Sequence, residues 1–344
     1  MPNLHNRIEQ MWWKPCQPPL LLRCIEPVYA AISRIHLNRR AAHTTAPPLP
    51  MISVGNITAG GSGKTPFVLW LADLLNQTGY SPVILCRGNG GKNSSPTVVS
   101  PDADVKQVGD EAKMLAEMSG CPTIVAADRI AACSLIDNLG DVLIMDDGFQ
   151  YRHLERCCDI VLVPAEGTGN GHLIPAGPLR EPVTALDRAS IIVRTGSKTE
   201  NDRCQPLGEN PEWYWVREPT GLIDAMGGDT DHPDSIYAVT TIARPQRFFD
   251  DLKNCGLELS GTKSYPDHHP FTDKDVLELL HLHKNIAVTA KDAVKLVPLW
   301  PKKRPLWLLQ LQGTGQPGLL DAITNCLPNI SRKNKTPPQV TGSD

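Results

Sequence analysis

What the chain lacks narrows its class before any motif is read. Its ten cysteines include no C-x-x-C spacing, and no secretory leader is recognised at the start, so composition predicts reduced thiols rather than a disulfide or zinc framework. No apolar stretch is long and clean enough to span a bilayer; in the first 45 residues the runs at 20–22 and 28–32 are interrupted by Arg23, Glu26 and Pro27. The net charge of −3 lacks the positive excess that a general nucleic-acid binder needs. What remains is globular: 344 residues, 41% hydrophobic and 21% charged, enough for a full core and two domains. The 31 prolines fall mainly between periodic segments, where they punctuate loops.

The most informative stretch lies at 51–66. An apolar run ending at Val54 leads into Asn56, Thr58, Ala59, Gly60, Gly61, Ser62, Gly63, Lys64 and Thr65, followed by Pro66. These are the parts of a P-loop, in which glycines let backbone N–H groups wrap a phosphate, Lys64 adds a point charge and the Thr65 hydroxyl holds Mg²⁺. The strict G-x-x-x-x-G-K-[ST] pattern fails at one position, because Thr58 stands where its first glycine belongs. The flanks restore it: Phe67, Val68, Leu71, Ala72, Leu74 and Leu75 recur with helical period, and Gly79 marks the stop. The stretch predicts a strand, an anion-binding turn and a helix built for a nucleoside triphosphate.

From 51 to about 195, short apolar runs at 83–86, 123–127, 142–145, 160–163 and 191–193 alternate with helical patterns, which predicts an α/β fold with a parallel sheet covered on both faces. Ligands of such sheets sit beyond the carboxyl ends of the strands. Asp146 and Asp147 follow one of those strands, where a carboxylate supplies a hard ligand for Mg²⁺; the bland alternative is a turn or helix cap. Asp110 opens a helical pattern that ends at Gly120, and its spacing fits either a cap or a working carboxylate. Arg87 starts a glycine-rich strand end that suits close approach of substrate. The loop 169–182 has no periodicity and carries Asn170 and Arg180, the latter a candidate phosphate ligand or a salt-bridge partner.

After a looser stretch from 202 to 218, a second α/β series begins, with strands read at 236–242, 286–289 and 306–309 and a helix at 245–255. It includes Asp267, His268 and His269 beside prolines; no further ligand lies at zinc spacing, which favours a catalytic or substrate-facing histidine. The expected division is an N-terminal segment at 1–45, a P-loop core at 46–215, a smaller α/β domain at 216–330 and a polar tail at 331–344. The first segment carries six basic residues against two acidic ones, with Trp12 and Trp13, and suits either the surface of an anionic membrane or packing on its own domain.

These motifs resemble the tetraacyldisaccharide 4′-kinase family, the lipid A kinases of bacteria with an outer membrane. The resemblance rests on Gly55-Asn56 with residues 60–66, Gly109-Asp110-Glu111, Asp146 to Gln150, Gly169 to Gly171 with Leu179 to Glu181, Ala243-Arg244-Pro245 with Arg247 to Phe249, Asp267 to His269, and Lys291 to Lys295. It extends to about residue 325, and the family's own P-loop has a threonine at the place of Thr58. It implies transfer of the ATP γ-phosphate to the 4′-hydroxyl of a tetraacyldisaccharide 1-phosphate, yielding lipid IVA, on the cytoplasmic face of the inner membrane, with no obligate protein partner. By the same resemblance Lys64 and Thr65 hold triphosphate and Mg²⁺, Asp146 and Asp147 serve the metal, Arg87, Gln150, Asn170 and Arg180 face substrate, and Asp110 takes the sugar proton with help from His268. Asn89, Tyr151 and Ala290 depart from the family pattern and touch none of those central residues. The competing class is a P-loop switch or chaperone that hydrolyses nucleotide without a lipid acceptor; a guanine-reading N/T-K-x-D is absent, since Lys291 stands one residue late.

Overall fold

The computed structural model describes residues 8, 11–13, 17–93, 95–196, 207, 211–228 and 232–328. The expected tail at 331–344 lies outside the described residues. The fold is mixed α/β, built on one twelve-stranded sheet. The strands are β1 (Met51–Asn56), β2 (Pro82–Cys86), β3 (Thr97–Val98), β4 (Thr123–Val125), β5 (Val142–Asp146), β6 (Cys158–Pro164), β7 (Ile191–Thr195), β8 (Glu212–Asp224), β9 (Ser235–Thr240), β10 (Glu258–Ser264), β11 (Ile286–Val288) and β12 (Trp307–Gly315). Their order across the sheet is β10-β9-β11-β12-β8-β7-β6-β1-β5-β2-β4-β3. Among the described residues, neighbours are parallel except for β8 with β12 and β3 with β4.

β1 is central and every residue in it is buried. Its pleat sends Ile52 and Val54 to one face, against Phe67, Val68 and Leu71, while Met51 faces Leu85, Leu143 and Met145 on the other. Helix α1 (Leu20–Ala41) precedes it as one continuous helix with Pro27 in its interior, past the first turn, where the missing N–H removes one i→i−4 hydrogen bond. Helix α2 (Lys64–Gln77) follows β1 through the glycine-rich loop and buries Phe67, Leu71 and Leu75 at helical spacing. Further on, α3 (Val105–Val108) and α4 (Asp110–Ser119) precede β4, and α5 (Arg129–Ala132) follows it.

The second half adds α6 (Pro245–Asn254), α7 (Asp273–His281), α8 (Ala290–Leu296) and α9 (Leu319–Thr324). Here β9 and β11 lie between two further cores, one around Val239, Phe271 and Leu296, the other around Ile236, Phe248 and Trp307. β8 joins the halves: Glu212 to Trp215 run parallel to β7, and Trp215 to Asp224 run antiparallel to β12. The division expected at 215/216 falls inside this strand. A second junction forms where α8 packs on α4, bringing the residues after β10 over the start of α4.

Three strands have no counterpart in the apolar pattern: β3, only two residues long and not buried, β8 and β10. β8 was read as loosened chain because intermediate and exposed residues dominate it, and β10 is an edge strand of alternating exposed and half-buried residues.

Candidate functional site

The glycine-rich loop ends at Gly63, which caps α2 in a left-handed conformation (φ 81°), while Gly60 upstream has φ 94°. Glycine adopts both at no steric cost, and the result is a tight turn that leads directly into the start of a helix. Inside it the Ser62 hydroxyl is buried without a hydrogen-bond partner among the described residues. The loop is held from behind: Thr195 Oγ1 donates to the Ser62 carbonyl (3.1 Å), and the Ala59 N–H donates to the Pro178 carbonyl (2.7 Å).

Lys64 leaves this turn toward two oxygens. Its Nζ donates to Asn56 Oδ1 at 3.1 Å and pairs with Asp147 at 3.4 Å. Asn56 Nδ2 in turn donates to the Thr58 carbonyl (2.7 Å), which fixes the amide. Asp146 closes β5 and Asp147 follows at φ 50°, an uncommon backbone for a residue with a Cβ and one found where surrounding structure dictates it. A Cβ on Gly55 would sit 2.5 Å from Phe149 Cβ, so the glycine is what lets this acid-bearing turn lie against β1.

The two aspartates differ electrostatically. Burial and the nearby Glu111 push the Asp146 carboxyl up to about 7. Burial also works against Asp147, but Lys64, Arg180 and Arg129 outweigh it and hold that carboxyl at about 2. One acid is thus satisfied by cations and the other is short of positive charge. Among the described residues, no three His, Cys, Asp or Glu side chains form a ready metal cage.

On the opposite side stands Asp110, 5% exposed, at the first turn of α4. Gly109 is the cap residue, and Asp110 points its carboxylate across the junction, with both oxygens 3.1 Å from His268 Nδ1. His268 is also held at positive φ (58°). Burial would raise the Asp110 carboxyl, but His268, Lys291 and Lys295 bring it below the usual range. The hydrogen bond to Asp110 raises His268 above the usual imidazole range, against burial.

Lys291 and Lys295 bound one of the motifs that carry the resemblance, but no site role is assigned to them from the sequence. Lys291 Nζ lies 3.1 Å from Asp267 and 3.3 Å from His268 Nε2, and Lys295 Nζ lies 3.7 Å from Asp110. Their spacing of four residues on α8 was the available signal, since it puts two cations on one helix face. Asp292 between them is fully buried and accepts from the hydroxyls of Thr240 (2.8 Å), Thr241 (2.5 Å) and Thr289 (2.7 Å), which anchors the helix that carries both lysines.

The remaining candidates divide. Arg180 Nη1 donates to both Asp147 oxygens (3.1 and 3.3 Å), so the ion-pair alternative describes its contact here. Gln150 Nε2 donates to the Asn56 carbonyl (2.9 Å) and to Glu181 (3.0 Å), bracing the loop against β1. Asn170 Nδ2 donates to the Ala176 carbonyl (3.0 Å), and its backbone N–H donates to the Trp12 carbonyl (2.8 Å), so it ties the N-terminal segment to the loop 169–182. Arg87 is exposed just beyond β2. Tyr151 accepts from the Arg129 N–H (3.1 Å) behind the aspartates.

A cavity of about 550 Å³ opens between α1 and the loop after β6, lined by Arg34, Arg152, Arg180 and Arg188 together with Ala30 and Leu173. α1 lies across it, held by Glu26 on His172 (2.8 Å) and by Tyr29 on the Arg180 carbonyl (3.2 Å). The far face of α1 exposes Leu21, Ile25, Val28, Ile32 and Ile35. Among the described residues, no helix is long and apolar enough to cross a membrane.

Residues 19–327 match the family model described as "Tetraacyldisaccharide-1-P 4'-kinase" (LpxK). A tetraacyldisaccharide 4'-kinase of Janthinobacterium sp. (strain Marseille) is 35% identical over 308 residues, covering 85% of this chain and 87% of its own. That of Aeromonas hydrophila is 39% identical over 253 residues, covering 72% and 73%. Among solved structures, LpxK from Aquifex aeolicus in complex with ATP superposes with a TM-score of 0.73 at 26% identity, covering 88% of this chain and 98% of that one.

Proposed function

This chain belongs to the tetraacyldisaccharide-1-P 4′-kinase family, whose members transfer the ATP γ-phosphate to a lipid A precursor, and from that membership we propose how its residues divide the work. The observation that carries the proposal is the convergence of Lys64, the Asp146-Asp147 pair and the Asp110-His268 pair between the two halves of the sheet.

The loop 58–65 is a P-loop that binds the triphosphate with its N–H groups, the Ser62 hydroxyl and Lys64. The unpartnered, buried Ser62 hydroxyl supports this reading, because such a group needs an acceptor or donor from a ligand. Mg²⁺ fits Thr65, Asp146 and Asp147: hard oxygens are present, too few for a full protein cage, which suits a cation that keeps phosphate and water in its shell. Bound there, it would neutralise charge on the phosphate oxygens. Asp146, held near 7 by burial, is the carboxyl with most to gain from a cation. Asp110 and His268 together accept the proton of the attacking 4′-hydroxyl. Residues 46–215 and 216–330 act as two lobes whose approach assembles that pair against the P-loop.

The acceptor headgroup enters the arginine-lined cavity under α1, where Arg180 links cavity to P-loop through Asp147. Its acyl chains stay with a membrane on which the exposed stripe of α1 lies, at the cytoplasmic face. ATP turnover with and without the lipid disaccharide tests the reading: the expected result is ADP formed in step with 4′-phosphorylated lipid, whereas a switch or chaperone forms ADP equally well without lipid.

The membrane role has its own test. Replacing Leu21, Ile25 and Ile32 together by serine removes exposed apolar side chains and leaves the Glu26 and Tyr29 contacts in place. Partition onto anionic vesicles should fall at least about tenfold with helical content unchanged. Unaltered vesicle binding would remove α1 as the anchoring face.

A further inference from the structure

No step of the proposed transfer uses Lys291, although it stands on the base pair itself. It lies in the first turn of α8, the helix packed on α4, and its side chain is 14% exposed. Four groups surround its ammonium. Nζ is 3.1 Å from Asp267 Oδ1, 3.3 Å from His268 Nε2, 3.6 Å from Glu111 Oε1 and 4.0 Å from Asp110 Oδ2. Burial works against the charge, but Asp110, Glu111 and Asp267 outweigh it and hold Lys291 above the ordinary lysine range. It is a standing cation.

These contacts fix how the imidazole is protonated. An ammonium only donates, so the contact at 3.3 Å makes Nε2 an acceptor and leaves the ring proton on Nδ1, 3.1 Å from both oxygens of Asp110. Nε2 is therefore the ring nitrogen with a lone pair to give. It is also the one within reach of a substrate, because the His268 side chain is 36% exposed and that of Asp110 only 5%. Two carboxylates work against this state. The hydrogen bond to Asp110 and the charge of that residue favour the imidazolium, and so does Asp267, whose Oδ2 is 3.7 Å from Nε2. Burial and Lys291 oppose them. Lys295, the other cation on α8, lies 3.7 Å from Asp110 and is engaged by Asp292, Thr241 and the His269 carbonyl, while Glu111 joins the cluster through Lys291.

We infer that Lys291 is a positioning residue of the phosphoryl transfer, one that holds His268 Nε2 open as the proton acceptor until the acceptor hydroxyl takes the place of the ammonium. The inference rests on the base-pair reading of Asp110 and His268. In the step it serves, the hydroxyl proton passes to Nε2, the oxygen bonds to the γ-phosphorus, and the bond from that phosphorus to ADP breaks. The ammonium keeps Asp267 and Glu111 when it leaves the ring, so its own charge stays paired. The imidazolium then lies between Asp110 and Asp267, and the two carboxylates that opposed the resting state stabilise it.

The test compares Lys291→Met, Lys291→Gln, Lys291→Arg and His268→Ala in the full-length protein. It uses pH profiles of kcat with lipid acceptor, and nitrogen-15 NMR of the histidine rings, which reads protonation without turnover. Lys291→Met and Lys291→Gln should move the rising limb of kcat, and the His268 titration with it, to higher pH, because burial alone then disfavours the imidazolium. At neutral pH kcat should fall about 3- to 10-fold and recover in alkali, the scale of one lost neighbouring charge. Arginine keeps the charge and should restore both readings. The inference is overturned if the two neutral variants leave the limb and the His268 titration in place, or lower kcat by one factor at every pH, since Lys291 then only ties α8 to α4. An arginine variant that titrates like the neutral ones also overturns it, because charge is then not what acts. His268→Ala separates the levels: kcat within about twofold of wild type there overturns the base-pair reading and this inference with it. A large loss there beside unmoved Lys291 limbs overturns the inference alone.

Discussion

Lys64→Ala and Asp147→Ala should each lower kcat by roughly 10²- to 10³-fold or more at saturating ATP and Mg²⁺, the scale for removing a group that stabilises charge in a transition state. The two side chains are in contact in this structure, 3.4 Å apart, and Arg180 completes the cluster from the far side of Asp147. Asp147 restrains two cations that a triphosphate would otherwise compete for, so nucleotide binding must rearrange this cluster. Lys64→Ala removes the only one of them that issues from the loop itself, and Asn56 keeps its backbone bond to Thr58, so the loop stays shaped. Asp147→Ala leaves Lys64 and Arg180 facing each other without their shared anion, and part of its loss will appear as weakened metal dependence. Steady-state kinetics over a range of Mg²⁺ concentration read both effects. If either variant keeps more than about a third of wild-type kcat, the role given to that residue is wrong.

The second large effect belongs to Asp110 and His268. Each alanine variant should cost on the order of 10²- to 10⁴-fold in kcat, the range for a positioned base, with ATP affinity nearly intact. Because both carboxylate oxygens sit 3.1 Å from His268 Nδ1, the two act as one unit and the double variant should be little worse than the poorer single one. Losses that multiply would show two independent roles.

The pH profile gives a second reading of the same pair. A neutral imidazole is needed for proton uptake, so kcat should rise with pH through a value above the ordinary imidazole pKa of about 6.5, because Asp110 raises His268. Asp110→Asn removes the negative charge beside His268 and should move the limb down. The contribution to stability has the opposite sense. His268, raised in the fold, stabilises fully below its unfolded pKa and loses that as pH rises through its folded value; Asp110, lowered in the fold, stabilises above its unfolded pKa and loses that as pH falls through its folded value. The pair therefore stabilises most between about pH 4 and 6.5 and contributes less where it becomes an active base. A structural pair would show the stability window without the kinetic limb.

Much of this was written in local pattern. The run ending at Val54, the glycines to Gly63 and the helical recurrence from Phe67 specify β1, its turn and α2, because burial on both faces of a central strand and on one face of a helix demands those periods. Asp146 and Asp147 were legible for the same reason, since a buried run that ends in acids marks a strand end. β3, β8 and β10 escaped because strands with few buried residues carry no apolar period to read. The ambiguity at Arg180 was local too: a lone arginine in an aperiodic loop fits a phosphate or an acid equally well, and only its position 3.1 Å from Asp147 selects the acid in this structure.

By itself the sequence determined the class of chemistry, because phosphate-binding turns and acids at strand ends are short-range constructions whose parts must stand next to one another in the chain. Tertiary structure alone decided who meets whom across distance. It put His268 on Asp110 at a separation of 158 residues, brought Lys291 and Lys295 to the same carboxylate, and carried Arg244 to the edge of the loop at Gly60. The physical reason is that each of those pairs depends on β8 crossing from one half of the sheet to the other and on α8 packing against α4. Neither leaves a trace in the spacing of the residues that it joins.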